Sequence, residues 1–428
     1  MEWFWPEGFY TLLMIGVFAF GAFAWKLPIA VAMAFSAIVG AVVAGEGIPL
    51  RHLVEGEFGY LNTILVIATA MMFMKVVLAI GLLDSIAAWM IRRFKNVPIV
   101  LSLGIMFIIM VPGMITGSST SAVLTTGALV SPLLMTLGMD KVRTASAVSM
   151  GALLGMIAPP VSIPAMIICA GVDIPYVGFT IPLLICTVPL AAVFALTMIY
   201  PHIRGFSDGA ALEEQLRRME AHPLSFRLVL PVLVLVALFA ADQIFAGKFP
   251  GFGMPLIFLL SALSGLLSGV KFNVVKTAEE AVDDALPVMG ILMGVGMFIQ
   301  IMTLIGMQGF IVVSALSLPS WLLYVGIAVS MPLFGAVSAF GSASVLGVPF
   351  LLALLQYNSI IVASALSLVA SLGDMMPPTA LAGIFAAQVV GEENYFKVLR
   401  TCLVPCILVA VWGIAVILLS GPIASVIF

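Results

Sequence analysis

Charge is scarce in this chain: Asp, Glu, Lys and Arg make up 9% of its 428 residues, against 63% hydrophobic residues and a mean hydropathy of +1.26. That balance excludes a soluble globular domain, and it leaves too few cations for a nucleic-acid surface, so no nucleic-acid partner is expected. Histidine is nearly absent. His52, His202 and His222 all fall in predicted loops and read as solvated loop residues. The four cysteines, Cys169, Cys186, Cys402 and Cys406, sit inside apolar runs, where a thiol behaves as a small hydrophobe. No His or carboxylate stands near Cys402 and Cys406, which argues against a metal site. A P-loop, an HExxH pair, an intramembrane Ser and His pair and a pair of intramembrane Asp residues are all missing. ATP-driven transport and intramembrane proteolysis are therefore not expected of this chain, nor is any other enzyme activity.

Long apolar runs are abundant. Runs of 17 to 25 residues recur throughout, and at 1.5 Å per residue each is long enough to cross a hydrocarbon core about 30 Å thick. The longest polar stretch, residues 201–227, is too short to fold alone. The apolar run after Phe9 lacks a basic leader and a cleavage site, so it reads as a retained first span. The fold class expected is an all-α polytopic membrane protein of two repeats. In the first repeat, 1–200, spans at 9–25, 28–45 and 61–83 precede a re-entrant hairpin at 98–138, a broken helix at 145–170 and a closing span at 177–200. A cytoplasmic linker, 201–227, leads to the second repeat, 228–428. Its spans at 228–246, 253–270 and 285–307 precede a hairpin at 319–357, a broken helix at 361–390 and a closing span at 402–425. Five crossings per half invert the second half relative to the first. With the N-terminus outside, fourteen Lys and Arg residues, from Lys26 through Arg92, Arg93, Arg143 and Arg217 to Arg400, fall in the cytoplasm. Only Arg51 and Lys248 fall outside, the positive-inside pattern.

The duplication is visible in the letters. "ASAVSMGALLGMIAPP" at 145–160 aligns without gaps to "ASALSLVASLGDMMPP" at 363–378, and "MFMKVVLAIG" at 72–81 resembles "MFIQIMTLIG" at 297–306. Upstream of the two proline pairs lie small-residue clusters, "GSSTSA" at 117–122 and "GSASVLG" at 341–347, read as matching hairpin tips. A proline pair after Gly155 or Gly373 should interrupt its helix near mid-membrane, and backbone freed there must be buried or line a polar cavity. Interrupted helices offer carbonyls to a cation and N–H groups to an anion. Ser118, Ser119, Thr120, Ser342 and Ser344 add hydroxyls at the tips, and Ser162 and Thr379 add them just past the prolines. Ionisable residues well inside the spans are two. Asp374, in the second break, is placed to hold Na+ or carry a proton. Lys75 reads as structural, by snorkelling, by pairing with a carboxylate or by steadying a subunit contact.

The segments "KLPIAVAM", "GSSTSAVLTTGALVSPLL", "LGMIAPPVSIP", "MPPTALAG" and "YFKVLRTCLVP" together resemble the large membrane (M) subunit of tripartite ATP-independent periplasmic (TRAP) transporters, within the wider ion-transporter superfamily, nearly end to end. The resemblance implies symport of a small organic anion, a carboxylate such as a dicarboxylate, with Na+ (or H+) as coupling ion, by an elevator mechanism in the bacterial inner membrane. It implies a small four-helix membrane subunit and a periplasmic solute-binding protein as partners. The alternative is a self-sufficient homodimeric carrier or exchanger of the same superfamily. Carried over by position, cation ligands are implied around Gly117, Ser118 and Ser119 with Pro159, and around Gly341, Ser342 and Ser344 with Pro377, with Asp374 added by the residue reading. Ser119, Thr120, Ser162, Ser344 and Thr379 are the expected solute contacts. Asp374 and "MMPPTA" depart from the family's usual second break.

Overall fold

The computed structural model describes residues 5–205, 209–218, 221–244 and 251–427, and all its regular structure there is helical. Seven helices are long and apolar enough to cross a membrane: Pro6–Phe23, Leu61–Ala79, Pro98–Thr116, Ser119–Thr136, Thr180–Ile203, Val274–Leu304 and Tyr395–Leu418. Shorter apolar helices, among them Ile29–Val43, Gly253–Leu267 and Ser320–Gly335, complete the bundle.

The helices sort into two packed groups. Ile29–Val43, Leu50–Gly59 and Leu61–Ala79 all pack on the 31-residue helix Val274–Leu304, with Gly253–Ser264 against Leu61–Ala79. Gly56 and Gly296 bring two backbones into direct contact here, since a Cβ on Gly56 would stand 2.4 Å from the Gly296 carbonyl oxygen. Lys75 lies in this group and pairs with Asp284 at 2.8 Å. The second group contains the hairpins, the broken helices and the helices Thr180–Ile203 and Tyr395–Leu418.

At the centre of the second group are the first halves of the broken helices. Every residue from Thr144 to Ile157 is buried, as is every residue from Ile361 to Ser371. A helix apolar on all sides belongs in such a place. Its serines are accommodated because Ser146, Ser149, Ser364, Ser367 and Ser371 each donate to a carbonyl three or four residues back.

Four helices lie where loops were expected: Leu50–Gly59, Leu82–Phe94, Gly209–Arg218 and Met307–Leu316. Leu50–Gly59 packs on Val274–Leu304, and Leu82–Phe94 links the third span to the first hairpin. The third span itself stops at Ala79, because Gly81 adopts a left-handed φ of 65° that an α-helix does not continue through. In the second half one continuous helix stands where the first has Leu50–Gly59 and Leu61–Ala79, so the helix expected from 285 begins at Val274, where Asn273 accepts the Lys276 N–H as N-cap. The closing helix likewise starts at Tyr395 rather than 402, capped by Asn394. Lys248, expected outside, falls outside the described residues.

Candidate functional site

Pro159 and Pro160 carry no N–H, so the carbonyls of Gly155 and Met156 lose their donors four residues on. Lys141–Ile157 accordingly ends, Ala158 turns extended, and the Val161 N–H crosses to the Met114 carbonyl of the first hairpin at 3.1 Å. The helix resumes over Ile163–Ala170. In the second half, Ser359–Ser371 first tightens to a 3₁₀ turn, Leu372–Met375, so that Met376 N–H reaches Gly373 O at 2.9 Å. Ala380 then takes a left-handed φ of 38°, and the chain continues as Leu381–Val390. Both Pro–Pro peptide bonds are cis.

Each break is braced by a tyrosine from the segment that follows it. The Tyr176 hydroxyl donates to the Pro160 carbonyl and accepts the Ser162 N–H, each at 3.3 Å. The Tyr395 hydroxyl donates to the Met375 carbonyl at the end of the 3₁₀ turn. Sequence reasoning missed both tyrosines, although each follows its proline pair by a similar interval, in "DIPYVG" and "EENYFK".

Each break also faces a hairpin tip. At the first tip, Gly117 turns the chain with a φ of 65°, and Ser118 caps the next helix by accepting the Ser121 N–H at 3.2 Å. Four helical residues and a π-segment, Val123–Gly127, follow. At the second tip Ser338 is the cap, accepting the Gly341 N–H at 3.2 Å, again before four helical residues and a π-segment, Ala343–Gly347. Ser338 is therefore the counterpart of Ser118. The sequence match of 117–122 to 341–347 is four residues out of register, because it paired Gly-Ser letters where the fold pairs capping serines. Gly341 and Ser342 lie past the turn. Ser342 Oγ donates to Met331 O at 2.7 Å and Ser344 Oγ to Gly341 O at 2.9 Å, both inside the hairpin.

The hairpins sit on the broken helices backbone to backbone. A Cβ on Gly113 would stand 2.7 Å from the Gly155 backbone, and one on Gly335 would stand 2.6 Å from Gly373 Cα. Thr379 Oγ1 donates to Ala336 O at 2.7 Å, fixing the second break to its tip. Gly117 packs against Ile163 just past the first break.

A side-chain hydrogen bond ties the tip of one half to the break of the other. Ser119, at the first tip, donates to the carboxylate of Asp374, in the second break, across 255 residues of chain. Leu381–Val390 packs on the first hairpin, and Ile163–Ala170 packs on the second, so each resumed half-helix lies on the hairpin of the other half. The two sides differ in closure. Ser118 and Thr120 are part-exposed and Pro377 is exposed, whereas Pro159, Ser162, Gly341, Ser342 and Ser344 are buried. Ser162 Oγ, at the first break, is buried without a hydrogen-bond partner. A small apolar hollow of about 160 Å³ reaches that break at Ala158 from between Pro98–Thr116 and Thr180–Phe194. Among the described residues no three His, Cys, Asp or Glu side chains cluster as metal ligands. A cation here would meet carbonyl oxygens, hydroxyls and the single carboxylate of Asp374.

No protein-family model matches the chain, and no curated protein matches it by sequence. Among solved structures, the YdaH transporter of Alcanivorax borkumensis, whose crystal structure is described as having an unusual topology, superposes with a TM-score of 0.66. The superposition covers 92% of this chain and 98% of that one at 14% sequence identity. The protein thus has a multi-pass membrane fold shared with a transporter.

Proposed function

We propose that the protein is a secondary active transporter that moves a small organic anion, a carboxylate, across the bacterial inner membrane by symport with Na+ or H+. The observation that carries this reading is the Ser119–Asp374 contact, where a lone acidic side chain in an interrupted helix meets the hydroxyl-rich tip of a hairpin from the other half. Buried carboxylates inside spans are costly and mark ion or proton pathways. Broken helices place freed carbonyls toward a cation and half-helix N–H groups toward an anion. On this reading the coupling ion lies among Asp374, Ser118 and the backbone near Gly117, Pro159 and Pro377, with Ser338 taking the tip role first assigned to Gly341 and Ser342. The solute lies beside Ser119, Thr120 and Thr379 on the open side and Ser162 and Ser344 on the closed one. The matched tips and breaks support two inverted repeats. The division into two helix groups supports an elevator, in which the hairpin group slides against the group built on Val274–Leu304.

Within this class, the TRAP-type M subunit would work with a small four-helix membrane subunit and a periplasmic binding protein. The second reading is a self-sufficient carrier, possible as a homodimer. It is favoured by the near-complete coverage of the chain of the YdaH transporter. Uptake into proteoliposomes of a carboxylate panel, with and without Na+ and pH gradients, tests the proposal. Gradient-dependent accumulation by the chain alone supports the self-sufficient carrier, accumulation only with added partners supports the TRAP type, and no gradient dependence for any anion under either condition sinks both.

A further inference from the structure

The helix Leu82–Phe94 runs between two helices able to cross the membrane, Leu61–Ala79 and Pro98–Thr116, which sets it at the level of a bilayer surface. It is amphipathic. Leu82, Leu83, Ala87, Ala88 and Ile91 are buried, while Trp89 is half-exposed and Arg92 and Arg93 close its last turn. Such a helix, with an interfacial Trp beside Arg, belongs to the headgroup region.

A hollow of about 580 Å³ opens between this helix and residues 216–217 and 221–224. Arg92, Arg93 and Arg217 line it, with Trp89, Ser85 and His222, and none of its described lining residues is acidic. The far wall is held in place, since the His222 backbone N–H donates to Ser85 Oγ at 2.9 Å. Glu213 approaches from outside the lining and reaches Arg92 at 3.7 Å. Three planar cations converging on one hollow match the oxygens of a phosphodiester, which guanidinium binds through paired N–H donors. The apolar flank made by Trp89 and Leu224 suits the glycerol and first acyl carbons that follow such a headgroup. A free phosphate has no use for that flank.

We propose that this hollow binds the phosphodiester headgroup of an anionic phospholipid, holding residues 221–224 and the base of the first hairpin to the membrane surface. Basic pockets of this kind on the positively charged face recognise anionic headgroups. The site stands apart from the breaks and does not depend on which solute is carried.

Trp89 supplies a local reporter. In nanodiscs, acyl-brominated phosphatidylglycerol should quench tryptophan fluorescence more than brominated phosphatidylcholine does. That excess should vanish in Trp89→Phe, leaving the signal of the five other tryptophans. The variant Arg93→Gln with Arg217→Gln, checked for an unchanged melting temperature in detergent, should bind phosphatidylglycerol roughly thirty-fold more weakly, each cation contributing about five-fold. Millimolar inorganic phosphate should leave the excess quenching in place. Equal quenching by the two lipids, or an excess that survives in the arginine double variant, would overturn the proposal. Displacement of the lipid by inorganic phosphate would also overturn it, in favour of a site for a soluble anion.

Discussion

The first and second breaks are built from the same device and finished differently. In both, a proline pair removes two backbone donors, a Gly–Gly contact seats the hairpin, a serine caps the tip and a tyrosine hydroxyl meets the loosened backbone. The first break is buried, carries Met156 where the second carries Asp374, and leaves the Ser162 hydroxyl without a partner. The second is tightened by a 3₁₀ turn, tied to its own tip through Thr379, and linked by Asp374 to the tip of the other half. The shared parts are those a broken helix needs in order to exist in a membrane. The unshared parts are where chemistry differs, and the proposed ion site draws on the second break with the first tip.

The shared parts should fail alike. Valine at Gly113 or at Gly335 would push a branched side chain into the backbone of the facing helix, where nothing flexible can yield, and each should cost at least about 3 kcal/mol or prevent folding. Melting curves in detergent that tolerate either variant would separate the two halves where the geometry makes them equivalent. A smaller effect is expected of Ser119→Ala, which removes the hydroxyl donor to a buried carboxylate at a cost of about 2 kcal/mol. The reverse change at the matching position of the other half, Ala339→Ser, adds a hydroxyl that meets no carboxylate and should shift the melting point by less. An equal loss from both would mean that Ser119 matters only for local packing. The smallest effects belong to the caps. Ser118→Ala and Ser338→Ala should each cost about 1 kcal/mol, because each leaves one N–H at the start of a hairpin arm without its acceptor. Indifference at Ser338 would return the second tip to the register of Gly341.

The proline pairs were legible because proline's lack of an N–H acts locally, whatever surrounds it. The apolar runs gave the main spans for a similar reason, since length and hydropathy are properties of one segment. Leu50–Gly59 and Leu82–Phe94 were not legible as helices: they are short and amphipathic and lie between stronger apolar signals. The register of the second tip was misread because glycine and serine are frequent at turns, and only the accepting hydroxyl distinguishes Ser338 from Ser342. The Ser119–Asp374 contact is a property of the assembled fold, and no single-chain pattern spans 255 residues to show it. Tyr176 and Tyr395 lay in plain sight, at matching places in the two halves, and a search for polar partners of the carbonyls at the breaks would have found them.

The account turns on Asp374, and Asp374→Asn tests it most directly when ion-dependent uptake and melting temperature are measured on the same preparation. The amide is nearly isosteric and buries no charge, so the variant should stay folded, melting within about 3 °C of the parent. If Asp374 holds the coupling ion, uptake driven by the Na+ or proton gradient should fall at least about ten-fold, equivalent to 1.4 kcal/mol or more of lost ion binding. A well-folded Asp374→Asn protein that keeps its parent's gradient dependence would contradict the account and leave the backbone carbonyls and tip hydroxyls to bind the ion alone.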